Sequence, residues 1–295
     1  MTKTDAITCP PLVEPSWLAE RLHDPSVRVL DCTTHMYPQP VGPSRIESGL
    51  ADFQQRHIPG ASHVCMVEDL SDKEGAYPYT AIDNKRFALL MQRLGIDRAD
   101  HVVLYGHSGI SSITRAWFIF HLNGFEQVSI LNGGLGAWLA QALPVTNHST
   151  TASRLASPQS YQQRSCLATQ QDVMEALISG DYQLINALSS EQFTGTGGAH
   201  YGRPGRIPDS LNLPAREMVD AQTGRFLDAL ALEGSVKRAG INVSAPSIHY
   251  CGGGIAATTS AFVLHTLGAK DWRVYDNSLL EWCQLAQCPM QCDPA

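Results

Sequence analysis

The chain repeats itself. Four landmarks of its first half recur, in the same order, in its second half. A helix-like stretch at Trp17–Leu22 and the strand-like Val27–Asp31 return as Val173–Leu177 and Tyr182–Asn186, with Leu22 over Leu177 and Asp31 over Asn186. His57-Ile-Pro-Gly-Ala-Ser-His-Val64 returns as Arg206-Ile-Pro-Asp-Ser-Leu-Asn-Leu213. Tyr105-Gly-His-Ser-Gly-Ile110 returns as Tyr250-Cys-Gly-Gly-Gly-Ile255, and Ile130-Leu-Asn-Gly-Gly-Leu-Gly-Ala-Trp138 as Val274-Tyr-Asp-Asn-Ser-Leu-Leu-Glu-Trp282. Whatever one copy folds into, the other must resemble.

Within each copy, strand patterns alternate with helix patterns. His101–Tyr105 and Ser247–Tyr250 are short apolar runs that stop at Gly-rich turns. Helical stretches over about Ser112–Leu122 and Ala257–Leu267 follow, with Gly124 and Gly268 where a helix would end. Short strands come next, at Val128–Leu131 and Arg273–Tyr275. This alternation predicts an α/β fold in two tandem domains, each a mostly parallel sheet with helices on both faces. The length of 295 residues suits two domains. We divide the chain into a first domain at 1–146, a linker at 147–165 rich in Ser, Thr, Gln and Ala, and a second domain at 166–295. In such sheets a site lies beyond the carboxyl ends of the strands, which points to the turns after Tyr105 and Tyr250.

Charge and apolar runs exclude some classes. Lys and Arg number 21 against 28 Asp and Glu, and neither half is basic. That argues against nucleic-acid binding and against docking on acidic membranes. No apolar run approaches ~18 residues, so no membrane-spanning helix is expected. Met1–Pro10 lacks a secretory pattern, so a cytoplasmic protein with reduced thiols is expected. Most of its eight cysteines then serve as small apolar fillers. Cys283, Cys288 and Cys292 lack a nearby fourth ligand and make a poor zinc signature, so no metal is expected.

Cys251 is the exception among the cysteines. It follows a strand and precedes Gly252, Gly253 and Gly254, then Ile255, Ala256, Ala257 and a helix. Glycines let the chain curl round the sulfur with several N–H groups facing inward. The following helix puts its positive end at the same place. Both stabilise negative charge there, and the thiolate is the nucleophilic form of cysteine. The same cradle would hold a terminal persulfide or the oxygens of a small anion. At a turn, this sulfur is expected to be exposed. The first copy has Gly106-His-Ser-Gly-Ile at the matching turn and no thiol, so one working site per chain is expected.

These elements together resemble the tandem rhodanese family of sulfurtransferases. The resemblance rests on the Ile-Pro-Gly-Ala-like element in each half, the loop Tyr250–Ala257, the closing Tyr275–Trp282 and the Arg203-Pro-Gly-Arg-Ile-Pro208 element, and runs from about Leu12 to Cys283. It implies an inactive first rhodanese-like domain, a catalytic second one, and Cys251 as the persulfide-forming residue. It further implies a small anionic sulfur donor, thiosulfate or 3-mercaptopyruvate, and an acceptor that is cyanide or a thiol, including a protein thiol. No organic cofactor is implied. The loop amides of Gly252–Ala257 would bind the substrate anion, with Arg203 and Arg206 as cationic groups at the mouth and His200 and Tyr201 on its rim. His249, facing away from Tyr250 on strand geometry, reads as a packed histidine.

The sequence also departs from the family. Mercaptopyruvate-type enzymes carry Cys-Gly-Ser-Gly-Val, and Gly253 stands at the Ser position; Gln192 stands where those enzymes carry Arg. Thiosulfate is therefore the favoured donor, with 3-mercaptopyruvate as the alternative. A cysteine phosphatase would need an arginine six residues after the cysteine, where this chain has Ala257. The remaining alternative is a non-catalytic binding protein of the same fold.

Overall fold

Two five-stranded parallel sheets carry the chain, and the computed structural model describes residues 9–148 and 156–294. The first copy runs β1 (Leu12–Val13), α1 (Pro15–Ala19), β2 (Val27–Asp31), the hairpin β3 (Thr34–Tyr37) and β4 (Arg45–Ser48), then α2 (Leu50–Gln55) and β5 (Ser62–His63). It continues with α3 (Asn84–Leu94), β6 (His101–Tyr105), α4 (Ile110–Leu122), β7 (Val128–Leu131) and α5 (Gly134–Ala140). The second copy runs β8 (Leu167–Ala168), α6 (Gln170–Ser179), β9 (Gln183–Asn186), α7 (Ser190–Thr194), β10 (Leu211–Asn212), a 3₁₀ turn at Ala215–Met218, and α8 (Ala229–Arg238). It closes with β11 (Ser247–Tyr250), α9 (Ala257–Thr266), β12 (Trp272–Tyr275) and α10 (Ser278–Trp282).

The strand orders β5-β2-β6-β7-β1 and β10-β9-β11-β12-β8 match strand for strand. The central strands are buried on both faces, which is why Val102–Tyr105 and Ser247–Tyr250 read as continuous runs instead of alternating ones. Equivalent bonds repeat in both copies. Tyr105 Oη accepts from the Ile58 N–H (3.2 Å), and Tyr250 Oη from the Ile207 N–H (3.1 Å). Trp138 and Trp282 each donate an indole N–H at 2.8 Å, to the carbonyls of Pro144 and Pro289.

The helices after the matched strands, α4 and α9, pack on each other. Thr114 Oγ1 lies 3.0 Å from Thr258 Oγ1 and 2.9 Å from Thr259 Oγ1, and Trp117 meets Phe262 edge-on at 4.8 Å. That contact explains why both helices are apolar nearly all round. Part of the segment expected as a linker, 149–155, lies outside the described residues. From Ala156 onward the chain lies against the first copy: Tyr161 is buried edge-on to Phe87 at 4.9 Å, and the Arg164 N–H donates to the Leu122 carbonyl at 2.7 Å.

Candidate active site

Cys251 sits immediately beyond the carboxyl end of β11, the central strand of its sheet. Its backbone is fixed by the Tyr275–Trp282 landmark. The Cys251 N–H donates to Ser278 Oγ (3.0 Å), and that hydroxyl donates to the Tyr275 carbonyl (2.7 Å). The first N–H groups of α10 answer the loop carbonyls, Leu279 to Cys251 at 3.2 Å and Leu280 to Gly252 at 2.9 Å. The loop's own N–H groups, from Gly252 to Ala256, donate to no other group among the described residues. They are unsatisfied donors ahead of a ten-residue helix, the arrangement that binds anions.

Each glycine of the loop has a cause. Gly254 has φ +77°, and a Cβ there would lie 2.1 Å from the Asp276 carbonyl oxygen. A Cβ at Gly252 would lie 1.9 Å from Tyr201 Cζ. Gly253 is crossed by the end of the Leu280 side chain.

Two features were not visible in the sequence. The first is the roof. Tyr201 lies across Gly252, and Cys251 is 2% exposed, not exposed as its turn position suggested. Burial and the nearby Cys251 both push the Tyr201 phenol up. A cavity of about 150 Å³ has Tyr201 in its wall, together with Leu188, Gln192, the 195–200 segment, Arg203 and Leu279. The second is Arg115 on α4, fully buried in the contact between the copies. Its guanidinium donates to the Gly254 carbonyl (3.2 Å), to Asp276 Oδ1 (2.5 Å) and to the Tyr79 carbonyl (2.6 Å). The Ala81 N–H donates to Asp276 Oδ2 at 2.7 Å. The first copy therefore clamps the cysteine loop of the second. A lone arginine within the apolar run Ile113–Leu122 was the available signal, since such a charge needs a buried partner.

The two arginines expected at the mouth are engaged elsewhere. Arg203 lies beside the cavity, but its guanidinium donates to the carbonyls of Trp282 (2.8 Å), Cys283 (3.2 Å), Leu285 (3.2 Å) and Cys288 (2.8 Å). It caps the C-terminal end of α10, with four of its five N–H groups given to main-chain carbonyls. Arg206 is 8% exposed, pairs with Asp293 Oδ1 at 2.7 Å and stacks on Phe193 at 4.4 Å. As placed, both cations hold the C-terminal tail. His249 is fully buried between Ser260 Oγ (2.8 Å) and Ser247 Oγ (3.2 Å). Burial pushes its imidazole down to about 3, so it packs as a neutral ring.

In the first copy the matching turn carries Gly106 where Cys251 stands. A Cβ there would already lie 3.2 Å from Ile113 Cδ1. No helix among the described residues is long and apolar enough to cross a membrane.

Known proteins share this design. A rhodanese-like domain family model matches residues 14–141. The chain is 30% identical over 284 residues to 3-mercaptopyruvate sulfurtransferase of Mus musculus, covering 94% of this chain and 93% of the relative. It is 30% identical over 291 residues to thiosulfate sulfurtransferase of Rattus norvegicus, covering 93% and 92%. The crystal structure of SseA from Escherichia coli, a 3-mercaptopyruvate sulfotransferase with the rhodanese fold, superposes with a TM-score of 0.78 at 26% identity, covering 91% of this chain and 98% of that one. With likeness of this extent across both halves, the chain belongs to the rhodanese-like sulfurtransferases.

Proposed function

We propose that this sulfurtransferase carries sulfur on Cys251. The observation that supports this reading best is the set of five consecutive main-chain N–H groups, Gly252 to Ala256, without a protein acceptor among the described residues, beside the thiol at the carboxyl end of the central strand of the second sheet. Such a cradle stabilises a persulfide anion and the charge that develops as sulfur moves.

The chemistry takes two steps. The Cys251 thiolate attacks the outer sulfur of the donor. With thiosulfate the S–S bond breaks and sulfite leaves with the electron pair; with 3-mercaptopyruvate the C–S bond breaks and the enolate of pyruvate leaves and takes up a proton. The acceptor, cyanide or a thiolate, then attacks the terminal sulfur, and the Cys251 thiolate is the leaving group. The half-reactions share no ternary complex, so ping-pong kinetics follow. The second copy, 166–295, performs the transfer, while the first copy, 1–146, supplies Arg115 as the clamp.

Thiosulfate is the first donor to test, because Gly253 and Gln192 stand where mercaptopyruvate-type enzymes carry Ser and Arg. The Mus musculus relative supports 3-mercaptopyruvate as the second reading. With Arg203 and Arg206 engaged elsewhere, main-chain amides provide the anion binding in either case. Steady-state sulfur transfer to cyanide, with each donor in turn, tests the assignment. Parallel double-reciprocal lines and complete loss of activity in Cys251→Ser are expected. Activity retained in that variant refutes the role given to Cys251.

A further inference from the structure

The first copy lacks a thiol at the matching turn, but its strand ends are not chemically empty. Asp31, at the end of β2, pairs in register with His63 at the end of β5 and with Tyr105 at the end of β6. Asn186, Asn212 and Tyr250 fill the same three places in the second copy. Where the sulfur-carrying copy has two amides, the first copy has a carboxylate and an imidazole.

The carboxylate is fully buried. His63 Nδ1 lies 3.6 Å from Asp31 Oδ1, and His107 Nε2 lies 3.2 Å from Oδ2. Burial opposes ionisation of Asp31, but contacts from His107, His63 and Thr33 outweigh it and hold the carboxyl well below the ordinary carboxylate range. The other nitrogen of His63, Nε2, lies 3.0 Å from Ser48 Oγ. Ser48 is exposed, whereas the His63 and Asp31 side chains are 8% and 0% exposed. Ser48 Oγ accepts the Leu50 N–H at 3.2 Å, so its own proton is free to point at the imidazole.

The frame is rigid. A Cβ at Gly49 would lie 2.4 Å from Thr33 Cγ2, the Gly49 N–H donates to the Thr33 carbonyl (2.9 Å), and the Thr33 N–H donates to Asp31 Oδ1 (2.9 Å). Three buried polar atoms of this cluster have no hydrogen-bond partner: Asp31 Oδ2, His63 Nδ1 and His107 Nε2. Unsatisfied buried groups in a native fold mark strain or chemistry. Among the described residues, no three His, Cys, Asp or Glu side chains are placed to hold a metal ion. An acid–base role is what this cluster supports.

We propose that Ser48, His63 and Asp31 form a second reactive site, with Ser48 as nucleophile, His63 as its base and Asp31 as the group that orients the imidazole, acting on small uncharged esters. Ser48 Oγ attacks the ester carbonyl while its proton passes to His63 Nε2. The carbonyl–oxygen bond breaks, and the alcohol leaves with the proton from His63. Water then hydrolyses the acyl-serine by the same route. The 3.6 Å between His63 and Asp31 is an ion-pair distance; it shortens as the imidazole becomes cationic, since catalytic contacts tighten on reaction. Asp31 lies behind the imidazole that Ser48 meets and disfavours anionic substrates such as phosphate monoesters, while Glu47 and Asp52 pair with Arg45 and His35.

A fluorophosphonate tests this on the full-length chain carrying Cys251→Ala, so that the thiol does not compete. Attack by Ser48 forms the O–P bond and releases fluoride. One adduct on the peptide containing Ser48 is expected, absent in Ser48→Ala and formed at least ~100-fold more slowly in His63→Gln. Asp31→Asn is expected to lower kinact by ~10-fold or more while leaving KI in place, a split that general loosening of the fold would not produce. If His63→Gln does not fold, His63→Asn tests the same point, because the second copy carries Asn212 at the matching strand position. Absence of an adduct on Ser48, or labelling at an unchanged rate without the imidazole, overturns the proposal.

Discussion

Arg115→Met removes the clamp between the copies and tests whether the first copy supports the cysteine loop. The arginine side chain is 0% exposed and its partner Asp276 10% exposed. The substitution keeps the aliphatic bulk but leaves the Asp276 carboxylate with the Ala81 N–H as its one remaining donor among those described above. Removing one partner of a buried pair costs about 3–5 kcal/mol, because the other charge stays buried. The carbonyls of Gly254 and Tyr79 also lose their guanidinium donor. At roughly 2–4 °C per kcal/mol for a protein of this size, the thermal midpoint should fall by roughly 6–20 °C. Asp276→Asn in the same chain should recover part of that loss, since the orphaned charge is gone. Sulfur transfer should drop in kcat at temperatures where the variant is still folded, because Gly254 is no longer fixed. Differential scanning calorimetry and steady-state kinetics read both effects. A midpoint within about 2 °C of the parent, with kcat unchanged, would refute the clamp.

Four further perturbations separate the roles assigned above. Gly252→Ala drives a methyl group into Tyr201 and should reduce turnover, while adding Tyr201→Ala should restore part of it; equal loss in single and double variants would show that the tyrosine is not the roof. Tyr201→Ala alone should speed alkylation of Cys251 by iodoacetamide, and an unchanged rate would mean that access runs elsewhere. Arg203→Ala should lower the thermal midpoint, since hydrogen bonds from a charged group contribute about 1.5–3 kcal/mol, with the donor KM unchanged; a raised donor KM at unchanged stability would return this residue to the substrate site. His121 and His249, both pushed down to about 3 by burial, bind protons in the unfolded chain near its ordinary 6.5 but not in the folded one. Their contribution is therefore complete above pH 6.5 and is lost as pH falls toward 3, at about 1.4 kcal/mol per pH unit for each ring. Thermal midpoints should decline below pH 6.5 and decline less steeply in His249→Gln; a flat profile down to about pH 4 would contradict the burial argument.

Much of the architecture was legible from the duplication and from local patterns. His101–Tyr105 and Ser247–Tyr250 form strands at the expected residues because a central parallel strand is apolar on both faces. Gly124 and Gly268 follow their helices with φ of +71° and +95°, conformations that a side chain resists. The glycines after Cys251 pointed to a turn curled round the sulfur, and Gly254 has the positive φ of +77° that such a turn uses; the close approach of Tyr201 to Gly252 was not foreseen. What stayed hidden depends on partners far along the chain. The carbonyls that hold Arg203 come from residues 282–288, and Asp293 holds Arg206, so nothing near either arginine announced a structural role. Tyr201, which lies across Gly252, comes from a loop fifty residues earlier. Arg115 and Asp276 meet only because α4 of one copy packs on α9 of the other. The Ser48–His63 contact likewise needs a hairpin whose position no local pattern reveals.

Intact-protein mass spectrometry after brief exposure to thiosulfate or to 3-mercaptopyruvate addresses the reaction most directly. The chain should gain the mass of one sulfur atom, located by peptide mapping on Cys251 and removed by cyanide. No gain with either donor, or a gain on Cys292 or another thiol while Cys251 stays unmodified, would contradict sulfur transfer through this loop.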